Sequence, residues 1–230
     1  MAGRIAYYGG IVTDGLVLHL DAAKRDSYPG SGTVWRDLSG NGNNGTLVNG
    51  PAFDRDSGNG SLVFDGVDDY AFKNNIDLGQ NGGIDYWFRF NQFPTEPGSD
   101  LLLGQYNSYI LYSNNNTALN QLYHFMYYNN TSEGLSSLSP GFISNIVLGK
   151  WYNSVVAWDE NGGFQSYLDG VQRVDTIASS FDSWRNNFST LTLGGYRSET
   201  ETSVIKCYSK HLISTEVLQN FNAQRSRFGI

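Results

Sequence analysis

Six glutamates, at positions 96, 133, 160, 199, 201 and 216, are the whole supply of that carboxylate in a chain of 230 residues. A glycosidase built on a β-sandwich needs two carboxylates flanking the sugar bond, commonly on one strand face, where alternate residues lie together. Only Glu199 and Glu201 have that spacing, and Glu199-Thr200-Glu201-Thr202-Ser203 reads as a Thr/Ser-rich loop with no third acid. His19, His124 and His211 sit in or beside apolar strand-like runs with no G-x-S-x-G elbow nearby, so each reads as a structural histidine. The chain is therefore expected to be non-enzymatic.

Two other chemistries remain. Hard cations take carboxylates and carbonyls, and Asp65, Asp68 and Asp69 are the densest acidic group. Asp65 and Asp69 are four apart across a turn, so one calcium ion could meet both, although the first expectation is that they bond turn amides and that the chain needs no cofactor. Sugar recognition needs exposed aromatic rings with amides beside them, because planar rings stack on sugar faces and Asn both donates and accepts. Trp184 and Asn186, in the segment Phe181–Asn187, make one such group. Tyr106, Tyr109 and Tyr112, followed by Asn114, Asn115 and Asn116, make the second. The competing reading of Trp184 is packing beneath its own loop or at a subunit contact.

Composition narrows the partners. The formal charge is −7, the pI is about 4.8 and the basic residues form no cluster, so a nucleic-acid partner is not expected. No apolar run approaches the length of a membrane span, and Met1–Gly10 is too short and too polar to read as a signal peptide. Cys207, the only cysteine, lies in the strand-like run Val204–Tyr208, so it reads as a buried, inert thiol, and the lack of disulfides fits synthesis in a reducing cytoplasm.

The elements that position these residues read as strands. Ile84, Tyr86, Phe88 and Phe90 alternate on one face, with Trp87 among the polar residues of the other. Leu122–Tyr128 carries bulk on both faces, as an inner strand would, or one covered by a neighbouring chain. Trp151, Val155 and Ala157 share a side. Phe164–Leu168 passes through Asp169-Gly170 into Val171–Val174, a hairpin signal. Strands arrive about every 8–15 residues, which favours an antiparallel sandwich or jelly roll. One helix is expected near Thr215–Ser226, capped by Ser214, with Val217, Leu218 and Phe221 as its stripe and Gly229 as its stop. The expected organisation is an N-terminal arm, 1–13, that docks on a neighbour, followed by one domain, 14–230.

Three motifs are more specific. Trp35-Arg36-Asp37-Leu38-Ser39-Gly40-Asn41-Gly42-Asn43-Asn44-Gly45-Thr46 stands between Gly15-Leu16-Val17-Leu18-His19-Leu20-Asp21-Ala22 and Phe64-Asp65-Gly66-Val67-Asp68-Asp69-Tyr70. With Trp151-Tyr152-Asn153, Tyr167-Leu168-Asp169-Gly170, Leu193-Gly194-Gly195 and the closing Tyr208–Val217, they resemble, from about Gly15 to Phe228, the laminin G-like, concanavalin A-like jelly-roll family in its bacterial and phage branch. The resemblance implies an all-β, two-sheet antiparallel sandwich with one short C-terminal helix. In the Trp35–Thr46 loop, Gly40, Gly42 and Gly45 would permit positive φ, Asn41, Asn43 and Asn44 would tolerate it, and Asp37 and Ser39 would brace the backbone. Trp35 and Phe64 are expected on adjacent strands. Asn153 stands where the family usually has His, and Glu199–Ser203 replaces its Gly-hydrophobic-Asp-Glu segment, so that edge is expected to be rebuilt.

The opening Gly10–Leu16 and Ser27-Tyr28-Pro29-Gly30-Ser31-Gly32-Thr33 are similar to jelly-roll proteins of marine tailed bacteriophage virions. That resemblance implies a virion surface protein, a head or collar decoration or a fibre component, in contact with other virion proteins and forming a homo-oligomer. The alternatives are a glycan-binding receptor-recognition protein at a tail fibre, through Trp184 and Asn186 or Tyr106, Tyr112 and Asn114, and a carbohydrate-binding module.

Overall fold

A computed structural model describes residues 10–93, 99–105, 108–114, 121–130, 134–138, 142–161, 163–177, 190–194 and 197–230. Its strands, numbered along the chain, form two antiparallel sheets. The first runs β15 (Val171–Ile177), β14 (Gly163–Leu168), β13 (Trp151–Trp158), β7 (Gly82–Gln92), β17 (Glu199–Tyr208), β5 (Ser61–Phe64) and β4 (Ala52–Asp54), with β1 (Leu16–Asp21) also paired to β17. The second runs β11 (Gly134–Leu138), β10 (Gln121–Asn130), β9 (Ser108–Asn114), β8 (Ser99–Gln105), β16 (Thr190–Leu193), β6 (Tyr70–Asn74), β3 (Gly45–Val48) and β2 (Val34–Trp35), with β12 (Phe142–Asn145) paired to β10. The all-β, two-sheet sandwich read from the sequence is the fold observed, and β10 is an inner strand, as its bulk on both faces implied.

Alternation along β7 builds the core. Ile84, Tyr86, Phe88 and Phe90 join Leu18, Leu20, Trp35, Phe64 and Leu193 in one buried cluster. Trp35 and Phe64 both belong to it, but from different sheets rather than from adjacent strands. In the signature loop only Gly40 and Gly42 have positive φ, and none of Asn41, Asn43 and Asn44 does. Gly45 serves close approach instead: a Cβ there would lie 3.1 Å from Leu20 Cδ1. The β14–β15 hairpin closes through Asp169 and Gly170 at φ 52° and 75°, with Leu168 opposite Val171, so the strands are joined by the two-residue turn that their twist favours.

The other face of the first sheet is covered by α1 (Ser214–Gln224), which continues as a 3₁₀ turn, Arg225–Phe228. Ser214 is the first helical residue and not the cap: the chain enters through Ile213, whose N–H donates to Glu216 Oε2 at 3.2 Å. Val217 and Phe221 face the sheet, whereas Leu218 is 38% exposed, and Gly229 ends the turn at φ 74°. Trp87, on the outer side of β7, stacks on Phe221 and Phe228 at centroid distances of 5.8 and 4.0 Å. The chain before β1 lies along the same helix. Val12 N–H donates to Asn220 Oδ1 at 2.7 Å, Tyr208 OH donates to the Val12 carbonyl at 3.1 Å, and Gln219 Nε2 donates to the Gly10 carbonyl at 2.9 Å. Residues 10–13 of the expected arm are thus held by their own chain, and residues 1–9 lie outside the described residues.

Candidate functional site

Of the nominated sugar-binding residues, Trp184, Asn186 and Tyr106 lie outside the described residues, as do Asn115 and Asn116. Tyr112 and Asn114 are in β9, an inner strand and not a loop: Tyr112 is paired with Leu101 and Tyr123, and Asn114 with Ser99 and Gln121.

The signature loop is held by one carboxylate. Asp37 Oδ1 accepts from His19 N at 2.8 Å and Ser39 N at 2.9 Å, and Oδ2 accepts from Ser39 Oγ at 2.7 Å and Asn43 N at 2.9 Å. Burial alone would raise this carboxyl, but those donors hold it below its ordinary value. Asp37 and Ser39 act as the braces that the sequence implied.

In the turn after β5, the carboxylate oxygens of Asp65, Asp68 and Asp69 come within 4.8 Å of one another. Asp65 Oδ1 accepts from the backbone N–H of Val67 at 2.8 Å, of Asp68 at 3.3 Å and of Asp69 at 3.4 Å, so it bonds turn amides as expected. The Val67 amide leads the donors that hold Asp65 below its usual range. Burial, followed by the Asp65 charge, pushes Asp69 up. Asp69 Oδ2 in turn accepts from the Asp65 N–H at 3.4 Å.

Glu199 and Glu201 lie within β17, in the interior of the first sheet, and neither in a loop nor at a rebuilt edge. A register shift falls between Glu199 and Thr200, and both glutamates reach the same Asn91 on β7. Asn91 Nδ2 donates to Glu199 Oε1 and Glu201 Oε1, each at 2.9 Å. Arg89 Nη2 reaches Glu201 Oε1 at 2.5 Å, and Ser61 Oγ donates to Oε2 at 2.8 Å. Glu201 is 1% exposed and both of its oxygens are bonded, so the residue is a strut and not a proton donor or nucleophile open to a substrate. The two glutamates that share the i, i+2 spacing are both engaged in contacts within the sheet.

A second polar group lies beneath α1. Lys206 on β17 and Asp85 on β7 are fully buried, with Nζ 2.9 Å from Oδ2. Asn153 Nδ2 donates to Asp85 Oδ1 at 2.8 Å, and Gln224 Oε1 accepts from Lys206 Nζ at 2.5 Å and from Trp87 Nε1 at 3.1 Å. Burial lowers the Lys206 amine against the opposing pull of Asp85. His19, opposite Lys206 on β1, is lowered to about 4 by burial and by the Lys206 charge. Its Nε2 is buried without a hydrogen-bond partner, so His19 is structural, as read from the sequence, but not satisfied at that nitrogen; the same holds for His211 Nδ1. His211 Nε2 meets Gln165 Oε1 at 2.9 Å. Cys207, buried beside this group and facing the core, has its thiol pushed well up by burial, as an inert thiol would. Lys206, Asp85 and Asn153 were missed as a group because they come from three distant strands. The one signal was charged residues within runs that are otherwise apolar.

No protein-family model matches the chain, and no curated protein sequence matches it. Among solved structures the fold is similar to the botulinum neurotoxin serotype D binding domain, with a TM-score of 0.70 at 14% identity over 93% of this chain and 53% of that one. It is also similar to the botulinum neurotoxin type G receptor binding domain, with a TM-score of 0.66 at 15% identity over 92% of this chain and 52% of that one. The binding domain of Paraclostridial mosquitocidal protein 1 matches with a TM-score of 0.68 at 13% identity, over 92% of this chain and 52% of that one. The chain spans about half the length of these proteins. At such identities the likeness is one of fold, a lectin-like jelly-roll sandwich.

Proposed function

We propose that this chain is a non-catalytic structural protein that displays its lectin-like sandwich on the surface of a virion. The observation that carries the reading is a fold shared over 93% of the chain with a binding domain, in which the one pair of strand-borne glutamates is tied into the sheet. The virion setting rests on the resemblance of Gly10–Leu16 and Ser27–Thr33 to tailed-phage surface proteins. In that setting the domain is a head or collar decoration or a fibre component, contacts other virion proteins and forms a homo-oligomer. Antibody labelling of purified particles tests it. Label on heads or collars supports decoration, label on tail tips supports adhesion, and unlabelled particles remove the virion reading.

A second reading is receptor recognition at a tail fibre; its receptor-binding part is supported by the neighbours, one of which, the botulinum neurotoxin DC binding domain, was solved with rat synaptotagmin II. Here the ligand is a host-surface glycan, met by Trp184 and Asn186 or by Tyr106, Tyr112 and Asn114. Glycan-array binding by the assembled protein, lost in Trp184→Ala, would support this reading. Silence of the array at high protein concentration would remove it.

A further inference from the structure

The ion pair beneath α1 is a poor stabiliser as it stands. Lys206 and Asp85 face each other directly across β17 and β7, and both are fully buried. Taking two such ions out of water is costly, and replacing a buried pair by apolar residues is often neutral or stabilising. Their surroundings do not fit ions well either. An ammonium carries three donors, and among the described residues Nζ has one hydrogen-bond acceptor, Gln224 Oε1 at 2.5 Å, while Asp85 Oδ2 lies 2.9 Å away as a buried oxygen with no hydrogen bond of its own.

The surroundings do fit an amide. Removing one water from the pair leaves one N–H and one carbonyl. Gln224 Oε1 is placed to accept from that N–H, and Asn153 Nδ2 already donates to Asp85 Oδ1, which would become the carbonyl oxygen. We propose that Lys206 and Asp85 become joined by an intramolecular isopeptide bond between Nζ and Cγ, formed by the folded protein itself.

The step balances without an outside reagent. A proton passes from the ammonium to Oδ2, giving an amine and a carboxylic acid. The lone pair on Nζ attacks Cγ, and the Asn153 N–H on Oδ1 holds the charge that develops there. Nitrogen then gives a proton to the departing oxygen, the Cγ–Oδ2 bond breaks, and one water leaves. Burial already depresses the Lys206 amine, which is the condition for a lysine nucleophile. The product ties together two adjacent strands in the middle of the first sheet. The inference concerns the fold itself and stands whether or not the chain is a virion protein.

Intact mass of the purified, denatured protein tests it directly. The expected mass is the sequence mass less one water, and a tryptic digest should yield one branched peptide containing Asp85 and Lys206, uncut after Lys206. Lys206→Arg and Asp85→Ala should each restore the full mass; because either variant could fail to fold, the wild-type measurement decides alone. Full sequence mass with cleavage after Lys206, in protein kept folded for prolonged incubation, would overturn the proposal. So would a water loss that maps to an Asp-Gly succinimide, at Asp14-Gly15, Asp65-Gly66 or Asp169-Gly170, with Lys206 still cleavable.

Discussion

Asp37 serves four donors from three residues, two of them within its own loop and one, His19, on β1. Removing a charged acceptor leaves those donors to find water or go unpaired, at about 1–3 kcal/mol for each one that cannot. Asp37→Ala is therefore expected to lower stability by about 2–3 kcal/mol in urea unfolding, and Asp37→Asn, which keeps one acceptor oxygen, by less. A loss no larger than that of an ordinary surface substitution would show that the glycines alone hold the loop. His19 adds a pH term. Its folded pKa is about 4 against an ordinary 6.5, so between those values the unfolded chain binds a proton that the folded chain refuses. Stability contributed by neutral His19 is present above the higher value and is lost as the pH falls through the window, by roughly 3 kcal/mol in all. Comparing the wild type with His19→Gln by urea midpoints at neutral pH and near the lower value isolates this term, since Asp37 and Asp69 titrate in both proteins. Parallel pH profiles for the two would refute it.

The C-terminal helix and turn do at the level of elements what Asp37 does within its loop. Trp87, Trp151, Val204, Phe221 and Phe228 form a buried cluster outside the main core, with Phe228 stacked on Trp87 and tilted against Trp151. Arg227 anchors the turn, with Nη1 at 2.8 and 3.0 Å from the two carboxylate oxygens of Asp21. Phe228→Ala should cost about 3–5 kcal/mol and shift tryptophan emission to the red as water reaches Trp87; an unchanged spectrum with unchanged stability would mean that the turn is not docked in solution. The alternation of Ile84–Phe90 exposed β7 in the sequence because its inward residues are apolar, and α1 was legible from Val217, Phe221 and Gly229. The start of β17 was not legible, because its inward positions Thr200 and Thr202 are polar. Thr202 Oγ1 lies 2.9 Å from Tyr86 OH inside the sandwich, so pairing with β7 and β5 makes this segment a strand, against its composition. The same gap hid the Arg89–Glu201 strut and the Lys206–Asp85–Asn153 group, whose members meet only once the strand order is known.

On the scale of the whole molecule, the helix-covered sheet bears on how the sandwich would attach to a particle if the chain is the virion protein proposed above. That side is closed by α1 and by Gly10–Thr13, which α1 and Tyr208 hold in place. Truncating at Asp14 would thus remove more than an arm: it would strip the Asn220 side chain of its partner at Val12 and confuse a docking defect with a folding defect. A shorter deletion, of residues 1–9, keeps those contacts and isolates the docking question. If the N-terminal segment joins the protein to its neighbours, the shortened chain should unfold at the same urea concentration as the full chain and yet fail to assemble with particles. Co-sedimentation with particles that lack the protein, alongside urea unfolding of both forms, reads the two quantities separately. Normal incorporation of a stable shortened chain would assign attachment to the sandwich itself, and loss of both stability and incorporation would make residues 1–9 part of the domain.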